Sequence, residues 1–289
     1  MIIMFINTNV GAMNAHRNLG ANNTSLNKTM EKLSSGFRIN RAADDAAGLA
    51  ISENMRFQIN GMKQAQRNAN DGISLIQTAE GALTEVHAML QRINVLANQS
   101  RNGIYTSGGT DAGGTAKSND REKIQLEVTQ LLQEISAIAA GTKFNGISLL
   151  NTSSTLTFQT GVNADNTITV NTIGMGASAA IGGGGLGLGG ISVDNAEAAA
   201  SAIGKISAAI EAVSKQRATF GAVQNRLEHT INNLGVNVEN LSAAHSRIRD
   251  ADMAAEMTSF TKQQILVQAG TAMLSQANSV PQNVLRLLG

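Results

Sequence analysis

Among its 289 residues the chain has no cysteine and no tryptophan, one tyrosine, seven phenylalanines and a single proline, Pro281. Without cysteine there can be no disulfide, no thiolate metal ligand and no cysteine nucleophile. With aromatics at 3%, a core must be filled by Leu, Ile, Val, Met and Ala, which suits packed helices better than a sandwich or a barrel. A single proline leaves almost nothing to break a helix by removing its N–H. Charge is scarce too. Charged residues make up 15%, and 22 Lys+Arg against 21 Asp+Glu leave a formal net charge of +1. No basic excess is present to neutralise a phosphate backbone, so nucleic-acid binding is not expected. No run of about eighteen apolar residues offers a membrane span, and Met1–Ile6 is too short for the apolar core of a cleaved secretion signal.

What the sequence does have is heptad spacing. Met55, Met62, Ala69, Ile76, Leu83, Leu90 and Ala97 fall seven apart, with Ile59, Ile73, Val86 and Ile93 beside them. A second row runs Ile124, Val128, Leu131, Ile135 and Ile138. The third passes from Ile206 through Ile210, Val213, Phe220, Leu227, Ile231, Leu234, Val238 and Leu241 to Ile248, broken only by Arg217, Gln224 and His245. A sustained 3.5-residue period winds helices around one another left-handedly. Rows of this length exceed the roughly 10–14 residues of an average globular helix, and they predict a mainly α, elongated rod of antiparallel coiled-coil helices.

Shorter rows mark the two ends: Leu26, Met30, Leu33 and Phe37 near the start, then Met253, Met257, Phe260 and Val267 near the finish, followed by Leu285 and Leu288. Each end reads as an amphipathic helix that needs a partner to cover its apolar face, and these ten residues form the expected assembly face. Thr106–Asn119, rich in Gly, Ser and Thr, reads as a loop joining antiparallel helices. Phe144-Asn145-Gly146-Ile147 offers an Asn-Gly turn, and Leu156, Phe158, Ile168 and Val170 alternate with polar residues around Asn163–Asn166 as a β-hairpin does. Ile181–Gly190 is so rich in glycine that an exposed, dispensable linker is expected there rather than a core element.

No catalytic constellation emerges, and no catalytic, cofactor or metal residue is named. His16, His87, His229 and His245 are scattered, without zinc-ligand spacing, and neither a phosphate loop nor a nucleophile elbow is present. The chain is not expected to be an enzyme. Asp44-Asp45, with Arg38 and Arg41 upstream, lies between two apolar rows, and so do Arg247, Arg249, Asp250 and Asp252. They read as charge-paired helix junctions, with salt bridges within or between subunits, rather than as a catalytic dyad.

The residues around these rows resemble bacterial flagellin. The resemblance rests on Ile6-Asn7-Thr8-Asn9, Leu33-Ser34-Ser35-Gly36, Arg38-Ile39-Asn40, the stretch from Asp44 to Ile51, and Ile76 to Leu83. In the other half it rests on Ser246-Arg247-Ile248, Asp250-Ala251-Asp252, Gln264-Ile265-Leu266, Gln268 to Thr271, Gln276-Ala277-Asn278 and Pro281 to Leu285. It spans residues 4–170 and 196–289.

The resemblance implies a structural subunit that polymerises into the flagellar filament for motility. The N- and C-terminal helices, residues 1–42 and 254–289, would pair with each other as an inner layer of the filament core. Residues 43–253 would form a rod domain of long helices and a hairpin, with glycine-rich loops near 106–119 and 171–195 in place of large outer domains. Implied partners are further copies of the chain, the flagellar export apparatus and a chaperone, and the filament cap and hook-junction proteins. Implied location is a secreted, extracellular filament, or a periplasmic one in a spirochaete. A hook–filament junction protein or another coiled-coil adaptor is the alternative. Arg92, Leu96, Gln99 and Glu127 match the pattern recognised by the vertebrate Toll-like flagellin receptor, whereas Asn94, Val95 and Leu131 depart from it, so the implied recognition is weakened.

Overall fold

The computed structural model describes residues 8–104, 120–177 and 185–288, without the side chains of 280–288, and these residues are mainly helical. The helices are α1 (Val10–Ser35), α2 (Ala46–Arg101), α3 (Asp120–Gly141), α4 (Ala196–Arg249) and α5 (Met253–Leu288). Between α3 and α4 stand two antiparallel strand pairs, β1 (Lys143–Phe144) with β2 (Ile147–Ser148), and β3 (Ser154–Gln159) with β4 (Thr167–Thr172). The chain divides into two compact units, Met1–Ile59 with Glu239–Gly289, and Asn60–Val238. The loop expected at Thr106–Asn119 lies outside the described residues.

Short polar side chains start most of these helices. Asn9 Oδ1 accepts the Ala12 N–H at 3.0 Å, Asp45 Oδ1 that of Gly48 at 2.8 Å, and Asn195 Oδ1 that of Ala198 at 2.7 Å. Asp252 Oδ1 accepts from Ala254 and Ala255 at 2.9 and 3.2 Å. Each satisfies a donor that the first turn of a helix leaves without a partner.

In the unit Asn60–Val238, α2 buries Ala69, Gly72, Ile76, Ala79, Leu83, Val86, Leu90, Ile93 and Ala97, and α4 buries Ala199, Ala202, Ile206, Ala209, Val213, Gln216, Phe220, Val223 and Leu227. Both sets follow alternating steps of three and four. The main rows are those expected, and so are Ile59, Val86 and Ile93 beside the α2 row, but four companion positions sit one residue earlier than expected. Gly72 replaces Ile73, and Ala209, Gln216 and Val223 replace Ile210, Arg217 and Gln224. At Gly72 close approach is the reason. A Cβ on Gly72 would stand 3.1 Å from Phe158 Cδ1 and 3.3 Å from Leu227 Cδ1, so the larger side chain has to lie to the side. Displaced to the flank, Arg217 reaches Glu80 at 3.6 Å.

The β3–β4 hairpin, paired from Ser154↔Thr172 to Gln159↔Thr167, adds Ile168 and Val170 to the same core. Asn68 Nδ2 donates to Gln159 O at 3.1 Å, and the buried Gln216 donates to Asn171 O at 2.9 Å. The hairpin is therefore fastened by α2 and α4 through side-chain amides.

The glycine-rich stretch differs from expectation. Gly182–Gly184 lie outside the described residues, but Leu186, Leu188, Ile191 and Val193 are all buried in the core. Leu186 N–H donates to Gly176 O at 2.8 Å, and Leu188 N–H to Ala177 O at 2.9 Å. Gln125 clamps the following turn, accepting the Val193 N–H at 2.7 Å and donating to Ile191 O at 3.2 Å. Two leucines spaced by two, both turned inward, outweigh the entropy of ordering their glycine neighbours.

Candidate assembly surface

The two linkers of the unit formed by Met1–Ile59 and Glu239–Gly289 are hydrogen-bonded to each other. Gly36 ends α1 at φ +73°, its N–H returning to Lys32 O at 2.8 Å, a left-handed cap that glycine adopts without strain. Ala251 N–H then donates to Gly36 O at 2.9 Å and Arg38 N–H to Arg249 O at 2.7 Å, around an antiparallel bridge between Phe37 and Asp250.

The junction acids serve the backbone. Asp44 accepts the N–H groups of Arg41 and Asn40 at 3.0 and 3.2 Å. These bonds, Arg41's first, outweigh desolvation and with the charges of Lys28 and Lys32 hold its carboxyl below the usual range. Asp45 caps α2 so tightly that a Cβ on Gly48 would stand 2.4 Å from Asp45 Oδ2 and 2.9 Å from Ile39 Cδ1. Arg41 pairs with Glu31 at 2.8 Å. Arg249 at the end of α4 pairs with Glu53 on α2, and that hydrogen bond leads the causes that depress the Glu53 carboxyl. Glu53 was not singled out from the sequence. Its partner is 196 positions away, and nothing local separates it from other exposed acids.

Next to this junction, α1 and α5 pair antiparallel. Asn9 Nδ2 donates to Ala277 O at 2.7 Å, Leu19 packs against Gly270, and Lys32 meets Glu256 at 3.4 Å. Their inward positions are Ala12, Ala15, Leu19, Asn22, Leu26, Thr29 and Leu33 on α1, and Glu256, Phe260, Gln263, Val267, Gly270, Leu274 and Ala277 on α5. The seam is thin, with small or polar residues at eight of these fourteen positions. Thr29 is the one buried residue of α1, and none of the described side chains of α5 is buried. Meanwhile Val10, Met13, Met30, Met253, Met257, Ile265, Leu266 and Met273 are all exposed. In the three-four spacing most of them flank the seam on both sides or stand on the backs of the helices. A helix pair that stays apolar beyond its own seam has the pattern of elements covered from several directions.

The expected assembly residues thus separate. Leu26, Leu33, Phe37, Phe260 and Val267 are half-buried, whereas Met30, Met253 and Met257 are exposed. Leu285 and Leu288 stand in α5, their side chains outside the described residues. Val10, Met13, Ile265, Leu266 and Met273 were missed by following one apolar row. The run Ile265-Leu266-Val267 was the available signal, since three consecutive apolar residues make a helical face wider than one row.

In the unit Asn60–Val238, Arg92 reaches Glu127 Oε1 with Nε at 2.8 Å and Nη2 at 2.7 Å, both side chains about half exposed. Gln99 is exposed on the same helix. Leu96 is not a surface residue. At 2% exposure it belongs to the core, so it can position the turn carrying Arg92 but offers no face to a receptor. Among the described residues no cluster of His, Asp and Glu could hold a metal ion, and no helix is long and apolar enough to cross a membrane.

Residues 6–155 match the family model of the bacterial flagellin N-terminal helical region, and residues 203–288 that of the bacterial flagellin C-terminal helical region. The chain is 49% identical to the flagellin of Bacillus subtilis, over 99% of this chain and 100% of that protein. It is 50% identical to the flagellar filament 33 kDa core protein of Treponema phagedenis, over 99% and 100%. The crystal structure of Bacillus cereus flagellin shares 31% identity, covering 62% of this chain and 94% of that one, with a TM-score of 0.46.

Proposed function

Since this chain belongs to the bacterial flagellin family, we propose that the exposed apolar residues of its α1–α5 pair are what join copies into a filament. The chain is a structural subunit of the bacterial flagellar filament, the organelle of motility, and its near-full-length identity to filament proteins disfavours a junction protein or adaptor. The observation that carries the assembly reading is the set of eight large apolar residues left uncovered around one thin seam. Burial of each against a neighbouring copy contributes roughly 1.5–3 kcal/mol.

In this reading residues 1–42 and 254–289 form the inner layer of the filament core, and 43–253 the layer outside it. Leu26, Leu33, Phe260 and Val267 hold the pair together and Phe37 fastens the linker beside it to Arg249, while Met30, Met253 and Met257 meet neighbours, with Leu285 and Leu288 extending the contact. The pair opens before the remainder of the free subunit does, because most helical stability in a protein comes from packing an apolar face and its seam buries so little. The subunit is secreted through the flagellar export apparatus with a chaperone, meets hook-junction and cap proteins as it adds to the filament, and lies outside the cell, or in the periplasm of a spirochaete. Arg92 and Glu127, with Gln99, supply the surface for the vertebrate Toll-like flagellin receptor.

Seeded polymerisation tests the assembly reading. Purified subunits salted out over filament fragments are expected to grow long helical filaments in the electron microscope. Subunits that remain monomeric by sedimentation with seeds present would overturn it.

A further inference from the structure

The methionines of this chain are sorted by position. Of those whose surroundings are described, Met175 is buried and Met55, Met62 and Met89 are half-buried. Met13, Met30, Met253, Met257 and Met273 are 46–65% exposed, and all five stand on α1 or α5. The chain has no cysteine to compete for an oxidant. Exposed thioethers are therefore its most accessible soft nucleophiles.

We propose that these five methionines are a modification site for two-electron oxidants of the peroxide class, and that their sulfoxides keep a free subunit out of the filament. The inference rests on the assembly reading above. In the step itself a sulfur lone pair attacks one oxygen of hydrogen peroxide and the O–O bond breaks. The sulfur gains that oxygen, the departing hydroxide takes the proton, and water leaves. Sulfur is oxidised by two electrons and peroxide is reduced by two. A flexible apolar side chain becomes a polar, chiral one, placed where a neighbouring copy has to strip water from it. An unpaired polar group buried in that way opposes association. The helices themselves need not change, since the five side chains already face solvent in the single chain. Incorporation shields them, so the same residues are reactive before assembly and protected after it.

The test uses the full chain and hydrogen peroxide. Subunits are oxidised, mapped by peptide mass spectrometry, and added to untreated seeds. Wild-type protein carrying sulfoxide at the five positions is expected to keep its helix content and to lose incorporation at least tenfold. A variant carrying Met13→Leu, Met30→Leu, Met253→Leu, Met257→Leu and Met273→Leu, close in volume and helix preference, should lose to peroxide none of whatever assembly it shows untreated. Treated wild-type protein that incorporates normally, or a treated variant that fails as badly as wild type, overturns the proposal. Should the variant not assemble even untreated, reduction of oxidised wild-type subunits by methionine sulfoxide reductase and a thiol must restore incorporation, and failure to do so is equally fatal. Intact filaments should acquire several-fold less sulfoxide at the five positions than free subunits, and equal labelling also counts against it. Untreated wild-type subunits that do not grow on seeds would instead condemn the assembly reading itself.

Discussion

The Arg249 guanidinium lies over the ring of Phe37, its Cζ 4.9 Å from the centroid. The same side chain donates to Glu53, so one residue at the end of α4 touches the α1–α2 linker and α2 together. A cation over an aromatic face contributes about 0.5–1 kcal/mol where partly exposed. The planar guanidinium stacks on the ring and donates from a fixed fork at once, whereas a lysine ammonium is a compact, strongly hydrated point charge with no plane to stack.

This junction predicts acid sensitivity. The carboxyls of Glu53 and Asp44 are held below their ordinary values in the fold. Their stabilisation is therefore complete above the unfolded values, about pH 4, and is lost as pH falls through the lower, folded ones. Glu53→Gln should lower stability at neutral pH and flatten the acid limb of a melting-temperature profile. Arg249→Lys should lower stability at all these pH values. A Glu53→Gln profile parallel to wild type would show that the pair carries no proton linkage.

Two glycines of α2 should respond in opposite directions to the same change. Gly81→Ala adds a methyl where nothing stands within 4 Å, and is expected to stabilise by about 0.5–1 kcal/mol through backbone entropy. Gly48→Ala drives that methyl into Asp45 and Ile39 and disturbs a helix cap whose loss costs about 0.5–2 kcal/mol. Denaturant titration of the two variants should give shifts of opposite sign.

Leu188, fully buried beside Leu186, gives residues 185–190 a place in the core that a free linker would not have. Leu188→Ala is expected to cost about 2–5 kcal/mol, the range for emptying a core site, and replacing 185–190 by a Gly/Ser loop should cost more. Unchanged unfolding in either variant would restore the linker reading.

Arg92→Ala should leave stability nearly unaltered, because half-exposed ion pairs contribute roughly 0–1 kcal/mol, while reducing activation of the Toll-like receptor by free subunits. Leu96→Ala should do the reverse first, loosening the fold before any direct effect on recognition. Activation unchanged by Arg92→Ala in a folded subunit that does activate would remove Arg92 from the receptor surface.

Much of this was legible in the sequence, for reasons particular to each element. Heptad rows such as Ile76, Leu83 and Leu90 announce long helices because the helical period repeats the same face. Asn-Gly at 145–146 places the first hairpin, where Asn145 and Gly146 take φ of +48° and +80°. The companion rows were misread at Gly72 and Ala209 because apolar size was the guide, whereas a close helix crossing selects small residues. Leu186 and Leu188 were hidden by their glycine neighbours, and Glu53 by the distance to its partner. On α1 and the linker after it the row at Leu26, Leu33 and Phe37 was visible. The second, exposed apolar surface was only half visible, since Ile265 and Leu266 fall off a single row.

That second surface is the centre of the account, and the double substitution Ile265→Gln and Leu266→Gln examines it most directly. Both side chains are exposed in the single chain, where surface changes usually shift stability by less than about 0.5 kcal/mol. The measurement is the critical concentration for growth on wild-type seeds, read by sedimentation and electron microscopy beside the melting curve of the free subunit. The account predicts an unchanged melting curve and a critical concentration raised at least tenfold, or no growth at all. A variant that melts like wild type and also grows at the wild-type critical concentration would contradict it.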